Sequence, residues 1–503
     1  MGRRWSPALM AVFFFGVVGC AHTTRQPDAV AFDGNVRPAA YHPADGAPPE
    51  PAMAVVRESV PAATELAGPQ PVDAFIRRAL AENRTVQAAF HNVQSLRQRI
   101  PQVTTLDDPV ASNSIFPIPS VAPQYSLMGY NPYNLTLAQQ FPWCGTLRLR
   151  GEAAERDVQV ALAELAAAQL DTVADVKRAY YNLYAGLRIE EILNENRKIL
   201  EDFRDIARER LAAGGTQQDV IRAEVLKSEL DRELANNTQA ITAARSALAR
   251  QLHLSPETEF RTLPELSLES VPTEFERLYQ LAVAARPELQ GRLAAVARDE
   301  KAVELARKRF YPNMTLGLTY MDMEKTNAQT PKTAGGFPNV GLFVAFNLPV
   351  YRDKYRAGVC EAQERTLADV KLYEAQRDET SSEIQELMVQ VRTQQNVLSL
   401  LRDGILPRTK TSFDLAKSDY AKSNVDYATV QSALREVLQV QLQIIQIEAE
   451  LGKAITSLER AVGTQINEHP PAPATPTNEK PAPIPPATTP GPFRAVTAPP
   501  EPE

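Results

Sequence analysis

Tyr133-Asn134-Leu135-Thr136-Leu137-Ala138-Gln139-Gln140-Phe141-Pro142-Trp143-Cys144-Gly145 begins as an alternating run, stops on a proline, and opens onto a long stretch without one. Side chains alternate across a strand, so Tyr133, Leu135, Leu137 and Phe141 share one side. From about Leu147 to Ala213 the chain has no proline and few glycines. This predicts a single helix roughly 100 Å long at about 1.5 Å per residue. Globular cores rarely hold such a rod.

The same order of elements occurs twice. The first unit has a short helix at about 71–100, the strand region ending at Phe141-Pro142-Trp143, and the long helix. A turn near Gly214-Gly215 and a second long helix to about His253 complete it. The second unit opens with a helix at about 274–309 and Tyr311-Pro312-Asn313. Strands follow, at Met314 to Tyr320 and Val340 to Leu348, closing on Leu348-Pro349-Val350. Another long helix, a turn near Ser423-Asn424 and a last helix to about Val462 end the unit. Pro142 matches Pro349 and Gly214 matches Ser423, a period of roughly 208 residues.

The rods carry stripes for lateral packing. Leu434, Val437, Ile444, Leu451, Ile455, Leu458 and Val462 form one stripe of the last helix. A second runs beside it through Leu438, Leu442, Ile445, Ala449 and Gly452. Leu230, Leu234, Ile241, Ala244 and Leu248 repeat the pattern in the first unit. Such spacing gives coiled-coil contacts, and two adjacent stripes let one helix touch neighbours on two sides. Pro407 removes a helical hydrogen bond and predicts either a kink or a break with a short loop.

No segment after residue 20 is apolar for eighteen residues, so the remaining way through a bilayer is a closed barrel. Four strands cannot close one, so an oligomer is required if these strands span a membrane. The partner strand of the first pair should lie within about 112–128, where Pro117, Pro119 and Pro123 are unsuited to a central ladder.

The ends speak to compartment. Arg3 and Arg4, an apolar run from Ala8 to Val18, and Gly19-Cys20 read as a secretion signal over 1–19. Val17-Val18-Gly19-Cys20 resembles a bacterial lipobox, making Cys20 the expected lipid attachment. Ala21 after it fits sorting to the outer membrane. Residues 20–70 and 465–503 are rich in proline and alanine and are expected to be flexible. The channel-sized region is 71–464, with repeats at about 71–255 and 274–464.

A net charge of −7 argues against a general nucleic-acid binder. Five histidines and three cysteines are too few for a multi-metal site or a disulfide framework. Cys144 and Cys360 fall at non-equivalent places in the repeat, which gives a disulfide no support. Met128, Met314, Met321 and Met323 form no dedicated site, although thioethers suit soft metals. No motif of a hydrolase, nucleotide-binding enzyme or zinc protease occurs, so no catalytic residue and no cofactor is expected. A non-conducting coiled-coil structural lipoprotein or a periplasmic adaptor would also account for rods and anchor. Neither accounts for strands inserted once per half.

On Gln139-Gln140-Phe141-Pro142-Trp143-Cys144-Gly145, its counterpart Phe346-Asn347-Leu348-Pro349-Val350, and Tyr311-Pro312, the chain resembles the TolC-type outer-membrane efflux family. Two segments add to this: Ala213-Gly214-Gly215-Thr216-Gln217-Gln218-Asp219-Val220 and Ser423-Asn424-Val425-Asp426-Tyr427-Ala428-Thr429-Val430. The resemblance covers about 71–464 and looks most like the heavy-metal efflux branch. It implies a mainly α chain with a small β part: a tandem-duplicated, long-helix coiled-coil α-barrel plus a transmembrane β-barrel shared by a homotrimer. It implies a passive conduit for drugs, metal cations or other small molecules, working with a periplasmic adaptor protein and an inner-membrane efflux pump. The helix turns would be periplasmic tips, making Gly214, Gly215, Gln217, Asp219, Asp426 and Tyr427 tip or gate candidates, with Asp219 able to cap its helix. Family channels that select cations often carry carboxylates just past the second tip. Thr429 and Ser432 stand at those positions, so that gate is not carried over.

Overall fold

A computed structural model describes residues 66, 68–115, 130–212, 216–266, 274–324, 338–422 and 424–466. Its first unit runs β1 (Pro69–Gln70), α1 (Val72–Glu82), α2 (Arg84–Thr104), β2 (Val110–Ile115), β3 (Tyr130–Phe141), α3 (Thr146–Ala212), α4 (Gln217–Leu252) and β4 (Arg261–Thr262). The second runs α5 (Phe275–Ala285), α6 (Pro287–Lys308), β5 (Met314–Glu324), β6 (Asn339–Phe346), α7 (Arg352–Ser399), α8 (Leu406–Ala421) and α9 (Tyr427–Val462). The 67-residue α3 is the central rod, packing on α2, α4, α6 and α9.

The opening helix of each unit, expected to be continuous, is two helices. In the first, Asn83 turns extended and its side chain accepts hydrogen bonds from Thr85 N at 2.8 Å and Val86 N at 3.2 Å. An asparagine that satisfies the next helix's free N–H groups starts a helix rather than continuing one. In the second, Pro287 stands in the first turn of α6 and forces Arg286 extended.

Each unit then closes on its own break. His253, left-handed at the end of α4, accepts the Arg84 N–H through Nε2 at 3.0 Å. Gly463 ends α9 at φ +84°, and a β-carbon there would lie 2.7 Å from Arg286 Cα. Glycine supplies both the conformation and the closeness. The duplication in the sequence is therefore a duplication of contacts.

Pro407 makes no break. Six residues, Leu400–Ile405, wind as a π-turn and the chain runs helically from Arg352 to Ala421. Proline has no N–H to give the carbonyl four residues back, and a wider turn absorbs the misfit.

Three apolar clusters hold the rods. Phe75, Tyr180, Leu183, Leu248, Leu252 and Phe260 join α1 to α3 and α4. Leu278, Ile384, Leu451, Leu458 and Val462 do the same for the second unit. A third, with Leu193, Phe203, Leu230, Tyr420, Tyr427 and Leu434, ties α3 and α4 to α8 and α9. The expected stripe of α4 and the first stripe of α9 lie in these clusters or against them, and Ile445 of the second α9 stripe joins a smaller cluster with Tyr184 and Ile192.

β1 and β4 form a short parallel pair, and the other four strands form one antiparallel sheet in the order β2-β3-β5-β6. The doubtful partner strand forms over Val110–Ile115, ahead of the three prolines; residues 116–129 lie outside the described part.

Candidate functional site

The sheet has two unlike faces. Register places Leu137, Leu318 and Leu342 side by side, with Leu135, Tyr320 and Val340 on one flank and Phe141, Met314 and Phe346 farther along. Residues directly opposite in an antiparallel ladder share a face, so this side is largely apolar, interrupted by Asn113, Gln139 and Asp322. It is also bare: Leu318 is 50% and Leu342 78% exposed. The other side carries Asn134, Thr136, Ala138 and Gln140, then Thr315, Gly317, Thr319 and Met321, then Asn339, Gly341, Phe343 and Ala345. There Thr136 and Thr319 hydroxyls meet at 3.3 Å, and Thr319 is only 9% exposed. The more occluded face is the polar one, the reverse of a soluble protein. Among the described residues, the outer edges of β2 and β6 are unpaired.

The motifs flagged in the sequence meet where sheet becomes rod. Trp143 stacks on Tyr311 with ring centres 4.9 Å apart and planes 12° from parallel. The Asn313 side chain accepts the Trp143 N–H at 3.2 Å, and its own N–H goes to the Asn347 side-chain oxygen. Tyr351 is exposed just before α7, and Lys308 Nζ lies 5.9 Å above the Tyr311 ring. Amphipathic rings with a cation nearby suit a membrane–water boundary. Met314 and Met321 leave opposite faces of β5, so they cannot share an ion; Met128 is outside the described residues.

Of the tip candidates, Gly214 and Gly215 are outside the described residues, as is Cys20. Gln217 is exposed in the first turn of α4. Asp219 sits in the same turn, where a carboxylate suits the helix dipole, while the N-cap itself is Thr216. Asp426 is the capping residue at the other tip, accepting from Thr429 N at 3.1 Å and Thr429 Oγ1 at 2.6 Å. These bonds hold its carboxyl below the usual range. Thr429 is thus spent on the cap.

Tyr427 is 2% exposed and lies 5.9 Å from the Tyr420 ring. Burial, with Tyr420 and Asp219 nearby, pushes its hydroxyl up to about 12. It packs the tip's interior. Arg435 on α9 reaches Glu229 on α4 at 2.7 Å, fastening the two hairpins. Sequence reasoning missed Tyr420, Glu229 and Arg435, whose roles depend on contacts between halves.

Midway along the rods the two units are locked by buried ions. Lys177 on α3 meets Glu459 on α9 at 2.6 Å. Arg460 bridges Asp171 and Glu288. Burial works to raise the Glu288 carboxyl, but the Arg460 hydrogen bond and charge outweigh it and the net shift is downward. Glu448 accepts from Tyr184 at 3.0 Å and from Arg402 in the π-turn. Among the described residues no three His, Cys, Asp or Glu side chains gather to hold a metal ion, and no helix is long and apolar enough to cross a membrane.

Paired strands at one end of duplicated rods, with an exposed apolar face and an aromatic junction, define the fold. Residues 278–464 match the model of the outer membrane efflux protein family. The chain is similar to the cobalt-zinc-cadmium resistance protein CzcC of Cupriavidus metallidurans, 22% identical over 402 residues that cover 79% of this chain and 91% of that one. Among solved structures it resembles the outer-membrane channel OprN, with a TM-score of 0.65 and 20% identity over 85% of this chain and 99% of that one. It also resembles the channel protein CusC, with a TM-score of 0.64 and 16% identity over 79% and 92%.

Proposed function

We propose that this protein is the outer-membrane channel of a tripartite efflux system, a passive conduit from the periplasm to the exterior. Three copies join the open edges of β2 and β6, and their four-stranded sheets become one twelve-stranded barrel. The helices continue it as a tunnel. One observation carries the reading: a sheet largely apolar on its exposed face and mostly polar on its occluded face, with both edges unpaired among the described residues. In water that sheet is a hazard; in lipid, closed on itself, it satisfies every backbone group. β3 has 12 residues and β5 has 11, enough for tilted spanning strands.

Removal of residues 1–19 and acylation of Cys20 would add a lipid anchor in the outer membrane. A periplasmic adaptor protein would dock at the tips formed by the α3–α4 and α8–α9 turns, and an inner-membrane pump would supply the energy. Similarity to CzcC supports metal cations as cargo. Ligand chemistry of the sheet does not select them, and the partners would set specificity.

The test is reconstitution. Mature protein purified in detergent should run as a trimer and open pores in planar lipid bilayers. A non-conducting monomer or a coiled-coil spacer without current would end the proposal. Acyl labelling lost in Cys20→Ser checks the anchor.

A further inference from the structure

We infer that Gly317 is a slot that holds the Phe343 ring flat against the barrel wall and so keeps the bore clear. This rests on the reading of the sheet as one third of a closed barrel with its polar face inward. Phe343 alternates with Leu342 and Val344, so it lies on the polar face with Gly341 and Ala345. Among the paired residues 133–141, 314–321 and 339–346 it is the one aromatic on that face. Three copies would bring three such rings to one level of the passage.

The ring does not stand into that passage. Phe343 pairs directly with Gly317, and a β-carbon placed on Gly317 would lie 2.1 Å from Cε1 and 2.2 Å from Cζ of the ring. No side chain of any kind coexists with the ring in that position. The atoms in conflict are the far end of a side chain, so a residue at 317 displaces the ring and leaves the ladder intact. Phe343 is correspondingly the one half-buried residue of β6, whose other seven are exposed. Gly341 is different: a β-carbon there meets nothing within 4 Å. A ring displaced from the wall at Gly317 turns toward the axis.

Three upright rings would narrow the bore at one level. In planar bilayers Gly317→Val should therefore lower single-channel conductance, with assembly unchanged. Phe343→Ala should conduct at least as well as the parent protein, and Gly317→Val with Phe343→Ala should return to that level. A Gly317→Val channel of parental conductance, or a double variant as poor as the single, overturns the inference. A second measurement does not depend on that variant folding. In a background lacking the exposed Cys144 and Cys360 thiols, Phe343→Cys should lose conductance on reaction with a bulky water-soluble thiol reagent, and Leu342→Cys should not. An unresponsive Phe343→Cys also overturns it. If the parent protein opens no pore, the barrel reading falls and the slot with it; if the parent conducts and only these variants fail to respond, the slot alone falls.

Discussion

An arginine at position 342 and one at position 341 differ by a single residue and should have opposite consequences. Leu342 stands in the row Leu137–Leu318–Leu342, near the middle of the apolar face, and is mostly exposed in the isolated chain. In a barrel that row faces lipid close to the midplane, where an arginine costs about 2–4 kcal/mol per copy. Three copies share one barrel, so the assembly loses about 6–12 kcal/mol. At about 1.4 kcal/mol per tenfold, that is on the order of 10⁴-fold or more against the assembled form. Gly341 points the other way, into open space, and its arginine stays in water. The assay is the fraction of trimer surviving unheated electrophoresis of outer-membrane extracts, followed by urea titration in lipid vesicles. Leu342→Arg should lose the trimer; Gly341→Arg should keep it and depress cation current. Equal assembly of the two variants, or a worse defect in Gly341→Arg, would refute the assignment of faces.

Other consequences follow from the rods. Lys177→Met removes the cation that stands 2.6 Å from the buried Glu459 carboxylate and should lower the thermal midpoint, which Glu459→Met partly restores; an unchanged midpoint would remove the ion pair from the account. Leu458→Ala empties a fully buried site in the second core and should cost about 2–5 kcal/mol by the same measurement. Asp426 has a depressed folded pKa, so its cap is complete above the ordinary carboxylate range and is lost as pH falls through the lower folded value. Amide exchange at Thr429 should show protection down to that acid limit in the parent protein and none in Asp426→Ala. Loss of protection between pH 5 and 6 would contradict the assignment.

Much of this architecture was written in local pattern. The absence of proline between Leu147 and Ala213 allowed a rod, and alternation in Tyr133–Phe141 and Met314–Tyr320 allowed strands, because periodicity of 3.6 or 2 is a property of neighbours along the chain. The repeat was visible for the same reason. The breaks at Asn83 and Arg286 were legible too, from a capping side chain and a proline, but a helical pattern running across each concealed them. The tip was legible only in part. Asp426 announces itself as a cap before a helix, whereas Tyr427 reads as a tip or gate candidate until the fold buries it against Tyr420.

The sequence by itself determined the rods, the strands and the doubling, since each depends on composition or spacing within a few turns. Tertiary structure alone decided which strand face is bare, that Trp143 stacks on Tyr311 and Asn313 clips Asn347, that Lys177 finds Glu459, and that Gly317 lies under Phe343. These pair residues tens to hundreds of positions apart, and no local periodicity encodes the register that brings them together.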